Sequence, residues 1–169
     1  MEYIDERILA LRHKKISGMR IKAKGKKELF FNGLIEMILP NDFSDMKEEA
    51  IRKVFPADKS PAYLKTTRNG ELTMSLDLLE GHEPLSEVLE QSRQLIMLLY
   101  PGSVIYEKGT IGELKGWFDC KFFIGKEIYY KLYFVVEKYE KKVFGCLQCR
   151  FENYDKWKLQ MLNILNQIS

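Results

Sequence analysis

Residues 103–151 decide the fold, and their sequence is SVIYEKGTIGELKGWFDCKFFIGKEIYYKLYFVVEKYEKKVFGCLQCRF. Apolar and polar side chains alternate along most of this stretch, which is the pattern of β-strands with two different faces. Two polar segments, residues 125–127 and 138–141, interrupt the alternation and are typical of hairpin turns. The stretch therefore predicts a meander of four antiparallel strands.

The segments that flank the meander predict helices and further strands. Residues 85–99 place apolar side chains at helical spacing, and a second such stripe follows residue 153. Upstream, residues 33–40 predict a buried strand and Asn69-Gly70 predicts a hairpin turn. The order of elements predicts an α+β fold, in which a mainly antiparallel sheet is flanked by helices. We expect one domain at residues 28–169, preceded by a basic N-terminal arm at residues 1–27.

Composition narrows the class of protein. The chain has 169 residues, 46% hydrophobic and 12% aromatic, with 11 glycines and 5 prolines, which excludes disordered, collagen-like and coiled-coil proteins. Two histidines and three cysteines are a thin inventory for catalysis or metal binding, so we expect neither an enzyme nor a cofactor. Cys146 and Cys149 lie three residues apart in a predicted strand and therefore point to opposite faces, which disfavours a shared metal or a disulfide.

The charges and the hydropathy of the sequence indicate a cellular compartment. The first residues are acidic where a signal peptide would be basic, and the apolar run at residues 95–100 is far too short to span a membrane. We therefore expect a cytoplasmic protein. Residues 12–27 carry eight Lys and Arg and no carboxylate, but no aromatic residue interleaves them. This pattern favours a solvated leader over a nucleic-acid site.

The meander predicts one apolar face and one mixed face. If residues 125–127 form a turn, the core face has no charge and combines these residues from the last three strands: Leu114, Phe118, Cys120, Phe122, Ile124, Ile128, Tyr130, Leu132, Phe134, Val136, Val143, Gly145, Leu147, Cys149 and Phe151. The opposite face is rich in aromatic residues and cations, which dominate the energy of protein interfaces. Its candidate partner-binding residues are Trp117, Phe123, Tyr129, Lys131, Tyr133, Phe144 and Arg150.

Three readings of the mixed face stay open. One of the protein's own helices covers it, or a protein partner or second subunit covers it, or nucleic acid stacks on it. A small-ligand-binding domain or enzyme is the alternative function, with a pocket between sheet and helices and His82 as a base beside a helix N-terminus.

Several segments together resemble a known fold. They are residues 33–45 with the sequence GLIEMILPNDFSD, residues 71–76, the helix at 85–99 that runs into Tyr100-Pro101-Gly102, and the final helix. The chain resembles the PsbP/Mog-type fold and, within it, the Eag chaperones, cytosolic adaptors of bacterial type VI secretion effectors. The resemblance implies an α/β/α sandwich without enzymatic activity, whose curved sheet holds an apolar helix of a client, often as a homodimer. We therefore predict a protein-binding adaptor or chaperone-like module.

Overall fold

The computed structural model describes residues 24–54 and 60–169. Within them a two-stranded antiparallel sheet and a seven-stranded antiparallel sheet are flanked by helices, which confirms the predicted α+β class. The small sheet contains β1 (Lys26–Phe30) and β2 (Ile35–Leu39). The large sheet has the strand order β3-β4-β5-β9-β8-β7-β6. Its strands are β3 (Ser44–Asp45), β4 (Tyr63–Thr66), β5 (Thr73–Leu79), β6 (Val104–Ile111), β7 (Lys115–Ile124), β8 (Glu127–Lys138) and β9 (Lys141–Arg150).

The helices are α1 (Glu48–Val54), α2 (Leu85–Leu99) and α3 (Tyr154–Asn166) in the described part of the chain. The four-strand meander is β6 to β9, as the alternating pattern predicts, and α2 has the predicted bounds. β5 joins the meander from the other side, because it pairs with β9 along its whole length. Residues 1–23, which include His13 and most of the predicted basic arm, lie outside the described residues, and β1 begins at Lys26.

Each face of the large sheet packs against a different helix. The α3 face carries Tyr130, Leu132 and Phe134, and these side chains are fully buried with Met161 and Leu165 of α3. The α2 face carries a second buried cluster, in which Ile96 of α2 packs with these residues of the sheet: Phe118, Cys120, Phe122, Tyr133 and Cys146. The sandwich therefore has a helix on both sides of the meander.

The predicted faces are correct for β8 and β9 but wrong for β7. Ile124 pairs with Glu127, so the β7–β8 turn has only two residues, Gly125 and Lys126. Gly125 has a φ of 60°, which suits the first position of such a turn. The prediction used a three-residue turn, and a slip of one residue exchanges every side chain between the two faces.

The exchange also overturns the prediction of an uncharged core. Asp119 of β7 faces α3 and is fully buried. Its carboxylate accepts hydrogen bonds from the Tyr130 hydroxyl at 2.5 Å, from the Glu107 backbone N–H at 2.8 Å and from Lys158 of α3 at 2.9 Å. The register of β6 shifts between Ile105 and Lys108, which lets the Glu107 N–H reach Asp119. A buried polar network thus links β6, β7, β8 and α3.

Candidate functional site

The seven residues predicted as a partner-binding surface do not share one face. Tyr133 and Phe144 pack in and against the buried cluster under α2, whereas Trp117 packs against the α3 side of the sheet. Phe123 lies six residues after Trp117 in β7 and is therefore on the same face of the strand. Its side chain is exposed at the β7–β8 hairpin tip. The placement of Trp117 and Phe123 on the mixed face was therefore wrong, because it depended on the three-residue turn.

The protein's own helix covers the centre of the mixed face. α2 packs on β7 and β8, and Tyr133 beneath it retains 8% of its exposure. Its ring stacks on Phe118 with centroids 5.2 Å apart and lies 5.8 Å from the Phe144 ring. The first of the three open readings, a covering helix, thus applies to the centre of this face. Tyr129, Lys131 and Phe144 are half-buried beside it.

The flank of the mixed face is a small charged cluster. Glu127 accepts a hydrogen bond from the Tyr129 hydroxyl and pairs with Arg150 at 3.0 Å. These two neighbours lower the pKa of the Glu127 carboxyl, and the hydrogen bond to Glu127 raises the pKa of Tyr129. Lys131 places its Nζ atom 4.1 Å from the centre of the Phe122 ring, a cation–π contact.

A group of exposed apolar side chains lies elsewhere, at the C-terminal end of α2. We call it the apolar patch, and it consists of Leu95, Leu98, Leu99, Tyr100, Val104, Phe123 and Ile124, all of which are exposed. The exposed fraction reaches 78% at Leu98 and 59% at Leu99. Leucines at this level of exposure, close together, are typical of interaction surfaces.

Two contacts join the end of the helix to the hairpin tip. The rings of Tyr100 and Phe122 have centroids 4.1 Å apart. Gly102 lies beside the hairpin, where a Cβ atom would contact the Phe123 ring at 3.7 Å. Val104, the first residue of β6, pairs with Lys121 just before this tip. The apolar patch is therefore one corner of the domain, formed by α2, the start of β6 and the end of β7.

Sequence reasoning missed most of this patch. The helical spacing of residues 85–99 predicts Leu95 and Leu99 on the apolar stripe that faces the sheet, but Ile96 is the buried residue of α2. The signal was present: residues 95–100 read LIMLLY, and a run of six apolar residues covers every side of a helix. Since only one side of α2 faces the sheet, such a run must leave leucines exposed.

The three cysteines are buried, and their surroundings make them poor nucleophiles. Cys146 lies in the cluster under α2 and Cys149 in the cluster on the α3 face, as expected for positions three apart in a strand. Burial raises the pKa of Cys120 and Cys149 to about 12 and that of Cys146 to about 11. Among the described residues there is no group of three or more side chains placed to hold a metal ion.

We expect these three thiols to react very slowly with thiol reagents in the native protein. At pH 8 a pKa of about 11 to 12 leaves about one thiol in 1,000 to 10,000 ionised, and only the thiolate attacks. Ellman's reagent should therefore release little colour from the folded chain within minutes, and close to three equivalents in 6 M guanidinium chloride. Rapid reaction of one thiol under native conditions would contradict the burial described here.

A pocket of about 350 Å³ does lie between α2 and the sheet. It is lined by the N-terminal half of α2 and by β6 and β7, including Leu85, Leu89 and Phe118. His82 is exposed in the loop before α2 and is not among the lining residues. His82 therefore does not line this pocket, contrary to the placement that the predicted alternative gave it.

Comparison with known proteins establishes the fold. No protein-family model matches the chain, and no curated protein matches it either. Among solved structures, the Ran-binding protein Mog1p of Saccharomyces cerevisiae is similar, with a TM-score of 0.60 and 11% identity over 86% of this chain and 95% of that one. The cyanobacterial PsbP of Synechocystis has a TM-score of 0.63 and 10% identity over 90% and 96%.

A third similar structure is LpqN of Mycobacterium tuberculosis, described as involved in cell envelope biogenesis. Its TM-score is 0.54 and its identity 13%, over 88% of this chain and 86% of that one. Identities this low carry information about the fold alone. These structural matches show that the chain has the PsbP/Mog fold that its sequence resembles.

In the described residues, no helix has the length and apolar character that crossing a membrane requires.

Proposed function

We propose that the chain is a non-enzymatic, cytoplasmic protein-binding module that acts as an adaptor or chaperone by holding an apolar segment of a client protein. The observation that carries the proposal is the apolar patch, where Leu95, Leu98 and Leu99 expose more than half of their surface. Covering such side chains yields roughly 25 cal/mol for each Å² removed from water. A client segment with an apolar face would supply that cover.

The surroundings of the patch suit a protein partner. Tyr100 and Phe123 contribute aromatic rings, which are common anchors at interfaces, and Lys126 at the hairpin turn offers an exposed cation at the rim. Of the residues predicted from the sequence, Phe123 belongs to the patch itself. Tyr129, Lys131, Phe144 and Arg150 extend the proposed surface along the α2 face.

The similar structures support the proposal only by analogy. Mog1p is a Ran-binding protein, so this fold can serve to bind another protein. The Eag chaperones that the sequence resembles hold a client helix, often as homodimers. A bacterial client helix on the patch is therefore our first candidate, and a second copy of this chain is the alternative occupant.

Photo-crosslinking in the native host tests the proposal. A benzoylphenylalanine at position 124, at the edge of the patch, should give a discrete adduct of the chain with another protein. The substitution Leu98→Glu should reduce this adduct at least tenfold, because it places a charge at the centre of the patch. Leu159→Glu, at an exposed leucine of α3, is the matched control and should leave the adduct unchanged.

The outcomes separate the candidate occupants. Leu98 is exposed, so the substitution should change the free energy of unfolding by less than about 0.5 kcal/mol, and loss of the adduct then reports binding. An adduct with twice the mass of the chain would show that a second copy of the chain, and not a client protein, covers the patch. Absence of any adduct, or equal loss with Leu159→Glu, would overturn the proposal.

A further inference from the structure

The pocket beside α2 lies along an edge of the sheet, away from the apolar patch. Its helical wall is the N-terminal half of α2, where Leu85 and Leu89 lie against Gly116 of the sheet. Ser86, Glu90 and Arg93 complete this wall. The apolar patch occupies the other end of the same helix. The two surfaces are therefore separate, and a role for the pocket does not depend on the function proposed above.

Two glycines shape the sheet side of the pocket. At Gly116 of β7, a Cβ atom would lie 2.2 Å from the Leu89 Cδ1 atom, so the helix rests directly on the backbone there. Lys108, Gly109 and Thr110 of β6 are consecutive and all line the pocket. Gly109 has no side chain, so it contributes main-chain atoms to the lining. The Trp117 indole covers the side on which a Cβ atom would lie, because that atom would be 2.8 Å from the Trp117 Nε1 atom. The pocket thus gives access to the main chain of β6.

β6 is the last strand of the large sheet. In the described residues the strand order ends with β6, so one side of its backbone has no neighbouring strand. The bulge between Ile105 and Lys108 divides the strand, and only Lys108–Ile111 pairs regularly with β7 on this side of it. An open strand edge beside a side-chain pocket is the arrangement by which domains add a peptide as an extra strand.

We propose that the groove between α2 and β6 binds a short extended segment of a partner protein. The segment adds as a strand to residues 108–111, places one apolar side chain in the pocket and sets a carboxylate of Asp or Glu against Lys108. Main-chain hydrogen bonds hold the segment, and the pocket selects its sequence.

The volume and the charges favour this occupant. The pocket, at about 350 Å³, has room for one large apolar side chain. Arg93 makes two hydrogen bonds to the Glu90 carboxylate, at 3.0 and 2.5 Å, so these two charges cancel. Lys108 is exposed and leaves the lining, which also holds Glu90 and Arg93, with a net positive charge, which favours an acidic segment over a basic one.

The bulge argues against a second copy of the chain at this edge. Two copies that paired through β6 would align the whole strand, and the bulge between Ile105 and Lys108 interrupts the regular edge that such pairing needs. Four regular residues suffice for a short peptide. A second copy is therefore an outcome that the experiment must be able to reveal.

A panned peptide library tests the proposal. Random heptapeptides displayed on phage are selected on the wild-type chain, and enriched peptides are synthesised with fluorescein for anisotropy measurements. We expect an apolar residue with Asp or Glu within two positions of it. Ser86→Phe, which fills the pocket from an exposed position, should weaken binding at least tenfold, and Lys108→Glu about fivefold. Amide NMR shifts should concentrate at residues 108–111.

Two exposed sites elsewhere in the chain provide matched controls. Gln160→Phe on α3 and Lys126→Glu at the β7–β8 turn make the same changes at exposed sites elsewhere, and both should bind like the wild type. Leu98→Glu should also bind normally, which separates this groove from the apolar patch. The proposal is overturned by a library without enriched peptides, by peptides that tolerate Ser86→Phe, or by a β6-mediated dimer that excludes them.

Discussion

Replacing Asp119 by alanine is expected to lower the free energy of unfolding by about 3–5 kcal/mol. The substitution removes the acceptor for Tyr130, Lys158 and the Glu107 N–H, and the first two of these donors are buried. Lys158 retains 6% of its side-chain exposure and would keep only Glu107, at 3.4 Å, as an ionic partner. Urea unfolding followed by circular dichroism measures the loss.

Another lysine of the same helix provides the control. Lys156 forms a salt bridge with Glu71, but its side chain is 53% exposed. Exposed pairs contribute about 0–1 kcal/mol, so Lys156→Ala should cost at most that. Similar losses for Asp119→Ala and Lys156→Ala would show that the buried network does not stabilise the fold. Lys158→Met should resemble Asp119→Ala, because either change leaves a buried charge without its main partner.

Replacing Gly145 by valine is expected to cost about 3 kcal/mol, at the upper end of what overpacking a core costs. Gly145 pairs with Phe134 on the neighbouring strand, and the Phe134 ring lies over it. A Cβ atom at Gly145 would lie 2.1 Å from the Phe134 Cζ atom. Phe134 is fully buried and cannot swing aside without displacing the core.

A second substitution tests this mechanism. Phe134→Leu removes the ring that blocks position 145, so its cost in the Gly145→Val background should be smaller than in the wild type. Gly102→Ala is the matched control, because its Cβ would meet Phe123 at an ordinary 3.7 Å, and it should change stability by less than about 0.5 kcal/mol. Additive costs for the pair at 134 and 145 would contradict steric coupling.

Local patterns were sufficient for the meander and for α2. The alternation of residues 103–151 predicted four strands, and the spacing at residues 85–99 predicted α2 with its observed bounds. The side-chain faces of β7 could not be predicted as securely, since they depend on whether the turn at Gly125 has two or three residues. A turn with one residue more would move Asp119 from the core face of β7 to the opposite face.

The candidate surfaces were less accessible to sequence reasoning. The mixed face was identified by its aromatic residues, but its centre is covered by α2, and coverage depends on packing between distant segments. The exposure of Leu98 and the position of β6 at the end of the described sheet arise in the same way. No periodicity within one segment reports which side of a helix or strand another segment leaves open.

The pairing of β5 with β9 has a consequence for the order in which the chain folds. Thr73 and Gln148 are partners although 75 positions separate them, whereas β6 to β9 pair through short hairpins. Closing the longer loop carries the larger entropic cost, so the hairpins gain their contacts first. Until β5 arrives, β9 is an edge strand of ten residues with an apolar face. The folding intermediate most prone to aggregation is therefore the meander of β6 to β9 before β5 has paired with β9.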